Sequence, residues 1–460
     1  MCRVVYVTLL ALWLSACAGG EQVSWDPATA TLPGPGELVD EPVFGGKVFV
    51  FQAGVERPET AVLIHGLGPS ASADWALLIP ALIERFHVVA FDLPGFGRSS
   101  GGNHLYSPAA YAQLVHWLTE RYAKGPVIVI GHSLGAAVAL RFAAEHPHAV
   151  RRMVLSDVAG VLHRVAFLEH TYRIEPSGDR AETSYSRRYQ RQLNRVLRKV
   201  ILRMDRLPLE AETVLASPAL RRLVLGGSPR KIAAMALIQE DFSKSLAAIR
   251  VPVRLLWGAE DEIAPLRTAQ VLLHALSDVR LDIIAGAGHA PMLDVPEVFL
   301  GAVLAALVSP PDAPRFSAPP PSTARWGVCA GQEGVRFEGD YEEIAVEDCL
   351  GVSIVGVKAR SIRIARSKVR IERTSVAGAI VGLNVSNSSV VATALAVRAE
   401  TALVASRSHL DLAGVSLEGT AAAARSSDRA VLVFSVSRVA SPHGRGRVHG
   451  VHDLAASSSL

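Results

Sequence analysis

The chain has 460 residues, of which 50% are hydrophobic and 20% charged, and its formal net charge is +4. This length exceeds that of one ordinary domain, so two or three domains with well-filled cores are expected. The positive excess is small and scattered along the chain, which gives no basis for a nucleic-acid partner.

The first 17 residues have the form of an export signal. A short cationic start leads into an apolar run from Val4 to Leu14, which is followed by Ser15-Ala16-Cys17. The run is too short to cross a bilayer, which takes about 20 apolar residues, and its length suits a signal peptide. Small residues that end in cysteine resemble the lipobox of bacterial lipoproteins. The resemblance implies that residues 1–16 are removed and that Cys17 carries a lipid; an ordinary secretory signal is the alternative.

An anchored protein of this kind belongs to the bacterial cell envelope. Ala18, where some lipoproteins carry aspartate, favours the outer membrane over the inner one. Residues 17–40 are small, polar and rich in proline and glycine, so they are predicted to form a tether between the anchor and the first domain.

Residues 41–308 alternate short apolar runs with helical patterns, which predicts βα units and a mostly parallel sheet. The runs are mostly apolar and show no regular period-2 alternation, as in strands that are buried on both faces. They are Ala61–Ile64, Val88–Phe91, Val127–Ile130, Met153–Leu155, Val253–Trp257 and Leu281–Ile284.

The segment Gly131-His132-Ser133-Leu134-Gly135 lies between a predicted strand and a helical pattern. A turn this sharp needs glycines, and it lifts the serine hydroxyl above the sheet, so Ser133 is the predicted nucleophile. The helix N-terminus supplies partial positive charge for a developing oxyanion, and the N–H of Leu134 is one predicted donor. The second predicted donor is the N–H of Leu67, which follows an earlier strand in His65-Gly66-Leu67-Gly68.

Two later segments supply a candidate base and a candidate acid. His289 follows the last predicted strand, and a histidine can take the serine proton at neutral pH. Asp261 follows the strand Val253–Trp257 and would hold the imidazole in the required tautomer. Asp261 stands between two glutamates, however, so a solvated acidic cluster is an alternative, and Asp157 is then the other candidate acid. His65, His132 and Asp92 are expected to have packing or turn-capping roles.

Together with Phe91-Asp92-Leu93-Pro94-Gly95-Phe96-Gly97-Arg98-Ser99, these motifs resemble the α/β-hydrolase family over about residues 45–305. The resemblance implies an eight-stranded sheet, a Ser-His-Asp triad and a helical cap at about 161–248. It also implies hydrolysis of a small-molecule acyl substrate through an acyl-serine. The sequence itself shows no motif for a metal or a cofactor, so neither is expected. A carboxylic ester with a hydrophobic acyl group is favoured, whereas thioesters, amides and carbon–carbon bonds are alternatives, because fold does not choose among them.

Part of the predicted cap has a basic amphipathic pattern from Arg187 to Met204. Such a helix can lie on an anionic membrane or admit an anionic or acyl substrate. A cap helix with a solvated basic face is the simpler interpretation.

Residues 309–322 contain six prolines and are predicted to form a stiff linker. Beyond them, at 323–440, apolar pairs recur about every 20 residues, beginning at Leu350, Val369, Val390, Leu410 and Val431. Period-2 alternation within such a repeat predicts the rungs of a right-handed parallel β-helix-like solenoid. A leucine-rich repeat is the rival, but its leucine-and-asparagine signature is absent. Residues 441–460 are expected to be a flexible tail.

Cys329 and Cys349 are 20 residues apart, which is one rung of the predicted solenoid. Stacked strands lie about 4.8 Å apart, near the Cα separation that a disulfide tolerates, so a bridge is predicted in an oxidising compartment. Two buried thiols are the alternative. The solenoid's partner is unknown, and a second hypothesis makes the whole chain a surface module that binds a glycan or a protein.

Overall fold

The computed structural model describes residues 31–166, 210–308, 325–378, 380–456 and 458–460. Cys17 with its signal, the basic pattern at 187–204 and the proline-rich linker lie outside the described residues. Within the described ranges, no helix is both long enough and apolar enough to span a bilayer.

The first domain is built on an eight-stranded sheet, as the sequence predicts. Its order is β1-β2-β4-β3-β5-β6-β7-β8; β2 pairs antiparallel with β1 and β4, and every other neighbouring pair is parallel. The strands are β1 Glu37–Glu41, β2 Gly46–Ala53, β3 Thr60–Ile64, β4 His87–Asp92, β5 Val127–His132, β6 Val150–Ser156, β7 Val253–Gly258 and β8 Val279–Ile284.

Helices follow the strands of this sheet and continue into the cap. Serine caps start two of them, where Ser107 accepts the N–H of Ala110 and Ser217 accepts that of Leu220. The described helices are α1 Leu78–Ile83, α2 Pro108–Tyr122, α3 Leu134–Glu145, α4 Ala211–Ala216, α5 Pro218–Leu225, α6 Pro229–Ile238, α7 Ser243–Ala248, α8 Leu266–Ala275, α9 Pro291–Asp294 and α10 Pro296–Val308, with 3₁₀ turns at Ala71–Trp75 and Pro147–Ala149.

The central strands are buried on both faces, which explains their mostly apolar character. Every residue of β3, β4, β5 and β7 is buried. Because helices cover both faces of a parallel sheet, its strands cannot alternate between core and solvent.

The predicted tether extends too far toward the first domain. Glu37–Glu41 is a strand that pairs with β2, and the Glu41 carboxylate accepts the N–H groups of Val43, Phe44 and Gly46. β1 is an edge strand and is mostly exposed, so it contains charged residues. Its sequence therefore cannot be distinguished from the polar segment that precedes it.

The second domain is a β-helix-like solenoid of fourteen strands, and nearly all of its strand pairs are parallel. Its strands are β9 Trp326–Ala330, β10 Arg336–Phe337, β11 Asp340–Glu347, β12 Val352–Val355, β13 Lys358–Ala365, β14 Lys368–Glu372, β15 Ser375–Ala377, β16 Val381–Ser386, β17 Ser389–Thr393, β18 Ala396–Ser406, β19 His409–Ala413, β20 Ser416–Ser426, β21 Ala430–Ser441 and β22 Gly444–Leu454.

The predicted repeat agrees with the strand register in its middle rungs and fails at its ends. Val369, Val390 and Leu410 stack on one another, as the period predicts. In the preceding rung Val352 stacks on Val369, and in the following rung Leu432 stacks on Leu410. The predicted positions Leu350 and Val431 are therefore wrong. Gly351 adopts φ +67° just before β12, and this turn displaces the first rung relative to the period.

A disulfide joins Cys329 and Cys349 across neighbouring turns of the solenoid, with Cα atoms 6.5 Å apart. Buried serines continue the column, where the Cys349 N–H donates to Ser367 Oγ and the Ser367 N–H donates to Ser388 Oγ. Ser408 Oγ accepts the next N–H, that of Ser388. These hydroxyls satisfy backbone donors at the turns, which explains the serine content of the rungs.

The predicted flexible tail is instead a strand for most of its length. β22 pairs antiparallel with β21 after the short turn Pro442–His443, and it contributes buried Val448 and Leu454 to the solenoid core. The error has a physical cause, since β22 is rich in glycine, arginine and histidine and its inward residues are too sparse to form a recognisable pattern.

A pair of substitutions on β22 tests this correction. Leu454→Ala removes a buried side chain and should lower the free energy of unfolding by about 2–3 kcal/mol. Val451→Ala, on the same strand but 49% exposed, should change it by less than about 0.5 kcal/mol. Urea unfolding of both proteins measures the difference. Equal midpoints for the two variants and the wild type would show that this segment does not pack.

Candidate active site

Ser133 stands at the junction between β5 and α3. Its backbone adopts φ +53° and ψ −114°, a combination that side-chain-bearing residues rarely adopt. The Ser133 N–H donates to the Ser156 carbonyl oxygen on β6, which fixes the strained residue from the neighbouring strand. Strain that the surroundings hold in place is a common property of functional residues.

Two glycines make this junction possible. A Cβ at Gly131 would lie 2.8 Å from Ala136 Cα, and a Cβ at Gly135 would overlap the carbonyl oxygen of Ile64. The absence of these two side chains lets α3 start directly behind the strand and against the end of β3. Ala136, the residue after the second of these glycines, is fully buried in the core.

A chain of hydrogen bonds connects Ser133 to the two other predicted triad residues. Ser133 Oγ lies 2.9 Å from His289 Nε2, and His289 Nδ1 lies 2.9 Å from Asp261 Oδ2. The second oxygen of Asp261 accepts the N–H groups of Ile263 and Ala264 at 2.8 and 2.9 Å. The carboxylate is therefore fixed by two N–H groups of its own loop and directed at the imidazole.

Asp157, the alternative acid, lies behind Asp261. It accepts the Gly258 N–H at 2.9 Å and the Ser156 hydroxyl at 2.5 Å, and its carboxyl group is hydrogen-bonded to that of Asp261. Burial, and then the charge of Asp261, raise the pKa of Asp157 well above its usual range. The raised pKa favours the neutral form of Asp157, and Asp261 is the residue whose carboxylate contacts His289 Nδ1.

Two further histidines surround the site in neutral form. His132 Nε2 donates to the carbonyl oxygen of His289 at 2.6 Å, and burial followed by the nearby His289 lowers the pKa of His132 to about 3. His65 Nδ1 donates to the Gly66 carbonyl oxygen at 2.7 Å and its Nε2 accepts the Leu93 N–H at 2.8 Å. Each ring thus holds a backbone segment of the site in place.

Asp92 has the structural role that the sequence predicts. One of its oxygens accepts from the backbone and side chain of Ser72, and the other accepts from the backbone and Nε of Arg98. Burial alone would raise the pKa of Asp92, but these hydrogen bonds outweigh it and hold that pKa below its usual range.

The loop after β3 reaches the nucleophile. A Cβ at Gly66 would lie 3.1 Å from Ser133 Cβ, so the backbone of this loop passes directly beside Ser133. Leu67 lines the same pocket as Ser133, and Leu134 is the first residue of α3. The two predicted oxyanion donors therefore belong to segments that meet at Ser133.

Comparison with known proteins agrees with this geometry. The family model described as alpha/beta hydrolase fold matches residues 61–296. This chain belongs to the α/β-hydrolase family.

Named relatives of the hydrolase domain include esterases and a lipase. The pimeloyl-[acyl-carrier protein] methyl ester esterase of Edwardsiella ictaluri is 33% identical over 257 residues, which cover 53% of this chain and 90% of that protein. A monoacylglycerol lipase of Xenopus laevis is 26% identical, with coverages of 52% and 72%. An uncharacterised protein of Mycobacterium tuberculosis is 29% identical, with coverages of 53% and 73%.

Among solved structures, the hydrolase is similar to a thermophilic esterase from Thermogutta terrifontis. That likeness has a TM-score of 0.43 at 20% identity and covers 60% of this chain and 98% of the esterase. A bacterial membrane phospholipase A gives a TM-score of 0.44 at 26% identity, with coverages of 66% and 97%.

The hydrolase has an apolar pocket next to Ser133. Its described lining comes from the loop after β3, the segment after β6, the cap helix α6 and the start of α8. These residues are Leu67, Ser133, Val158, Ala159, Gly160, Leu162, Leu237, Ile238, Ile263, Ala264, Pro265 and Thr268. Apart from Ser133 and Thr268, every lining side chain is apolar or absent, so the pocket suits a hydrocarbon group.

Sequence reasoning missed the pocket lining and the support from His132. Leu237 and Ile238 belong to an ordinary apolar stripe of a cap helix, and no local signal distinguishes a pocket wall from core packing. The bond from His132 to the His289 carbonyl joins residues 157 positions apart. Only the folded arrangement reveals it.

The buried carboxyl of Asp74, in the loop after β3, predicts a pH dependence of stability. Burial raises its pKa from 3.8 to about 7, Ser70 opposes this by a hydrogen bond, and nearby Asp92 adds to it. Between about pH 4 and pH 7 the folded state keeps a proton that the unfolded state releases, so stability should fall as pH rises through this window. Asp74→Asn should remove about 2–4 kcal/mol of that fall, since each pKa unit corresponds to about 1.4 kcal/mol.

Urea unfolding at pH 5 and at pH 8 measures this effect. Relative to wild type, Asp74→Asn should be more stable at pH 8 than at pH 5. Asp40→Asn, which changes an exposed carboxylate, is the matched control and should leave the difference unchanged. Parallel behaviour of wild type and Asp74→Asn would contradict the raised pKa.

Proposed function

We propose that the protein is a lipid-anchored, exported serine hydrolase that cleaves carboxylic esters with hydrophobic acyl groups. The observation that carries the proposal is the hydrogen-bonded series from Ser133 through His289 to Asp261 beside an apolar pocket. A hydroxyl, an imidazole and a carboxylate in this order can convert a weak nucleophile into a strong one.

The first half of the reaction forms an acyl-serine. His289 Nε2 takes the proton of Ser133 Oγ while that oxygen attacks the carbonyl carbon of the ester. Asp261 stabilises the imidazolium that forms and holds its tautomer. His289 Nε2 then returns the proton to the leaving alcohol oxygen as the bond between that oxygen and the carbonyl carbon breaks.

The second half transfers the acyl group to water. His289 accepts a proton from water as its oxygen attacks the acyl carbon, and the proton then passes to Ser133 Oγ as the carboxylic acid leaves. In both halves, the N–H groups of Leu67 and Leu134 would donate to the oxyanion. Such donors contribute about 3–4 kcal/mol of transition-state stabilisation when they are rigidly held.

Neutral surroundings support the role of His289. The imidazole ring of His132 lies beside that of His289, with the ring centroids 5.2 Å apart. With a pKa of about 3, His132 adds no positive charge beside the imidazolium that must form. An additional cation at this distance would oppose proton transfer from Ser133.

The substrate class is inferred from the pocket. Its lining offers hydrocarbon contact and few hydrogen-bonding groups, which favours an acyl chain over a polar acid. Two relatives are named for ester cleavage, one as a methyl ester esterase and one as a monoacylglycerol lipase. Both facts support an ester substrate with an apolar acyl portion.

Export and anchoring are inferred from cysteines. The lipoprotein-like segment that ends at Cys17 would place the enzyme on the cell envelope, beside lipids. The disulfide between Cys329 and Cys349 supports export, because disulfides persist mainly in oxidising compartments.

Labelling of the full chain by a fluorophosphonate probe tests the activated serine. Wild type should label, whereas Ser133→Ala and His289→Ala should lose labelling, because one lacks the nucleophile and the other lacks the base. Ser99→Ala, which removes another serine hydroxyl of the same domain, should still label. Absence of labelling in folded wild type would contradict the proposal.

A second pair of variants identifies the acid. Asp261→Asn should reduce kcat for a p-nitrophenyl ester by about 10³–10⁴-fold, because the amide selects the wrong imidazole tautomer. Asp157→Asn should stay within about tenfold of wild type, since a protonated carboxyl and an amide both present a donor and an acceptor. A larger loss in Asp157→Asn than in Asp261→Asn would reverse the assignment.

A further inference from the structure

The loop before α8 and the first turn of α8 face the pocket on one side and the solenoid on the other. Ile263, Ala264 and Thr268 line the pocket, whereas Arg267 reaches the solenoid. Residues 32–460 form one compact unit, so this contact belongs to the body of the protein.

Arg267 makes an extensive set of hydrogen bonds across the domain boundary. Its Nε donates to Thr393 Oγ1 at 2.7 Å, and its guanidinium donates to both carboxylate oxygens of Asp411, one of them at 2.9 Å. It also reaches the Ala392 carbonyl oxygen at 3.1 Å. The side chains of Arg267 and Asp411 are 18% and 4% exposed, so this is a desolvated, forked ion pair with fixed geometry.

Apolar packing continues the contact along α8. Gly414, with φ +61°, brings the solenoid backbone to Val271, where an added Cβ would lie 3.5 Å from Val271 Cα. Ala413 and Val433 of the solenoid belong to the hydrophobic core of the hydrolase domain. The solenoid therefore supports α8 along part of its length.

A second pocket segment also contacts the solenoid. Val158, Ala159, Gly160 and Leu162 line the pocket. The next residue, His163, donates its N–H to the buried hydroxyl of Ser435 at 2.8 Å.

Ser435 lies where β21 is irregular. The pairing of β21 with β22 shifts register between Phe434 and Ser437, and Val436 adopts φ +47°. A β-branched residue in this conformation is strained and persists only where its surroundings impose it. Bulges of this kind redirect a side chain. This bulge includes Ser435, whose hydroxyl accepts the N–H of His163.

We infer that the solenoid is a specificity element of the enzyme, which sets the shape of the acyl pocket by holding α8 through Arg267 and the 158–162 segment through Ser435. The inference rests on the proposed function, because it concerns the pocket of the same active site. Thr393, Asp411 and Ser435 are positioning residues, since they act on the pocket through α8 and His163.

The test compares kcat and KM for p-nitrophenyl acetate and p-nitrophenyl octanoate, using the full chain. Arg267→Ala and Ser435→Ala should each lower kcat/KM for octanoate about tenfold more than for acetate, mainly through KM, because contacts along the acyl chain are lost. Arg398→Ala removes an exposed ion pair with Glu418 on the same solenoid and should leave the ratio within about twofold of wild type.

Arg267→Ala leaves a buried carboxylate without its partner, so it could fail to fold. The double variant Arg267→Met with Asp411→Leu removes both charges at similar volume, and such replacements of a buried pair commonly fold. It should shift the ester ratio in the same direction as Ser435→Ala. Thermal unfolding monitored by circular dichroism establishes that each variant is folded at the assay temperature.

The outcomes separate this inference from the proposed function. Folded wild type that neither cleaves these esters nor labels at Ser133 overturns the proposed function, and the inference with it. Active wild type whose Arg267 and Ser435 variants lose the same factor on both esters overturns the inference alone. A change of the ratio in Arg398→Ala as large as in the interface variants would also overturn it.

Discussion

The active site depends on one close approach, where the backbone of Gly135 lies against the carbonyl oxygens of Ile64 and His65. This approach lets α3 begin directly behind β5, which forces Ser133 into its strained conformation. It also brings the loop after β3 beside the serine. The nucleophile and both candidate oxyanion segments therefore lie close together because Gly135, like Gly131 before it, has no side chain. A parallel sheet makes this possible, because the carboxyl ends of adjacent strands meet at one edge.

The second requirement of the site is control of charge in a buried environment. His65, His132, Asp157, Asp261 and His289 are all buried, and burial favours the neutral form of His65, His132 and Asp157. Asp157 and His132 remain neutral, while the Asp261 carboxylate accepts two backbone N–H groups and the imidazole. The Asp261 carboxylate is thus directed at His289, the one base in contact with Ser133 Oγ. This arrangement favours proton transfer from Ser133 to His289.

The sequence predicts those features whose signals are local. Ser133 and His289 each follow a predicted strand and have glycines close to them in the sequence, so both could be located before the fold was known. The sequence could not decide between Asp157 and Asp261. The decision depends on which carboxylate accepts the hydrogen bond from His289 Nδ1, and on how the charge of one carboxylate raises the pKa of the other. The strand at Gly444–Leu454 was not predicted because its composition gives no strand pattern. It is a strand because it pairs with β21. In each failure the deciding contact is long-range.

The contact between Arg267 and Asp411 has the same long-range character, with 144 positions between the two residues, and it solves a problem specific to solenoids. Successive rungs repeat a similar backbone geometry, so backbone shape alone would fit several rungs almost equally well. The positions that stack on Asp411 in neighbouring rungs are Val391 and Val433, and the next along is Arg370. An arginine on α8 therefore finds a carboxylate at one of these rungs and a like charge at another. A buried ion pair contributes little net stability, but it penalises every register that leaves it unpaired. The rung that carries Asp411 is thereby selected, and with it the placement of Ser435 against the segment that leads into the cap.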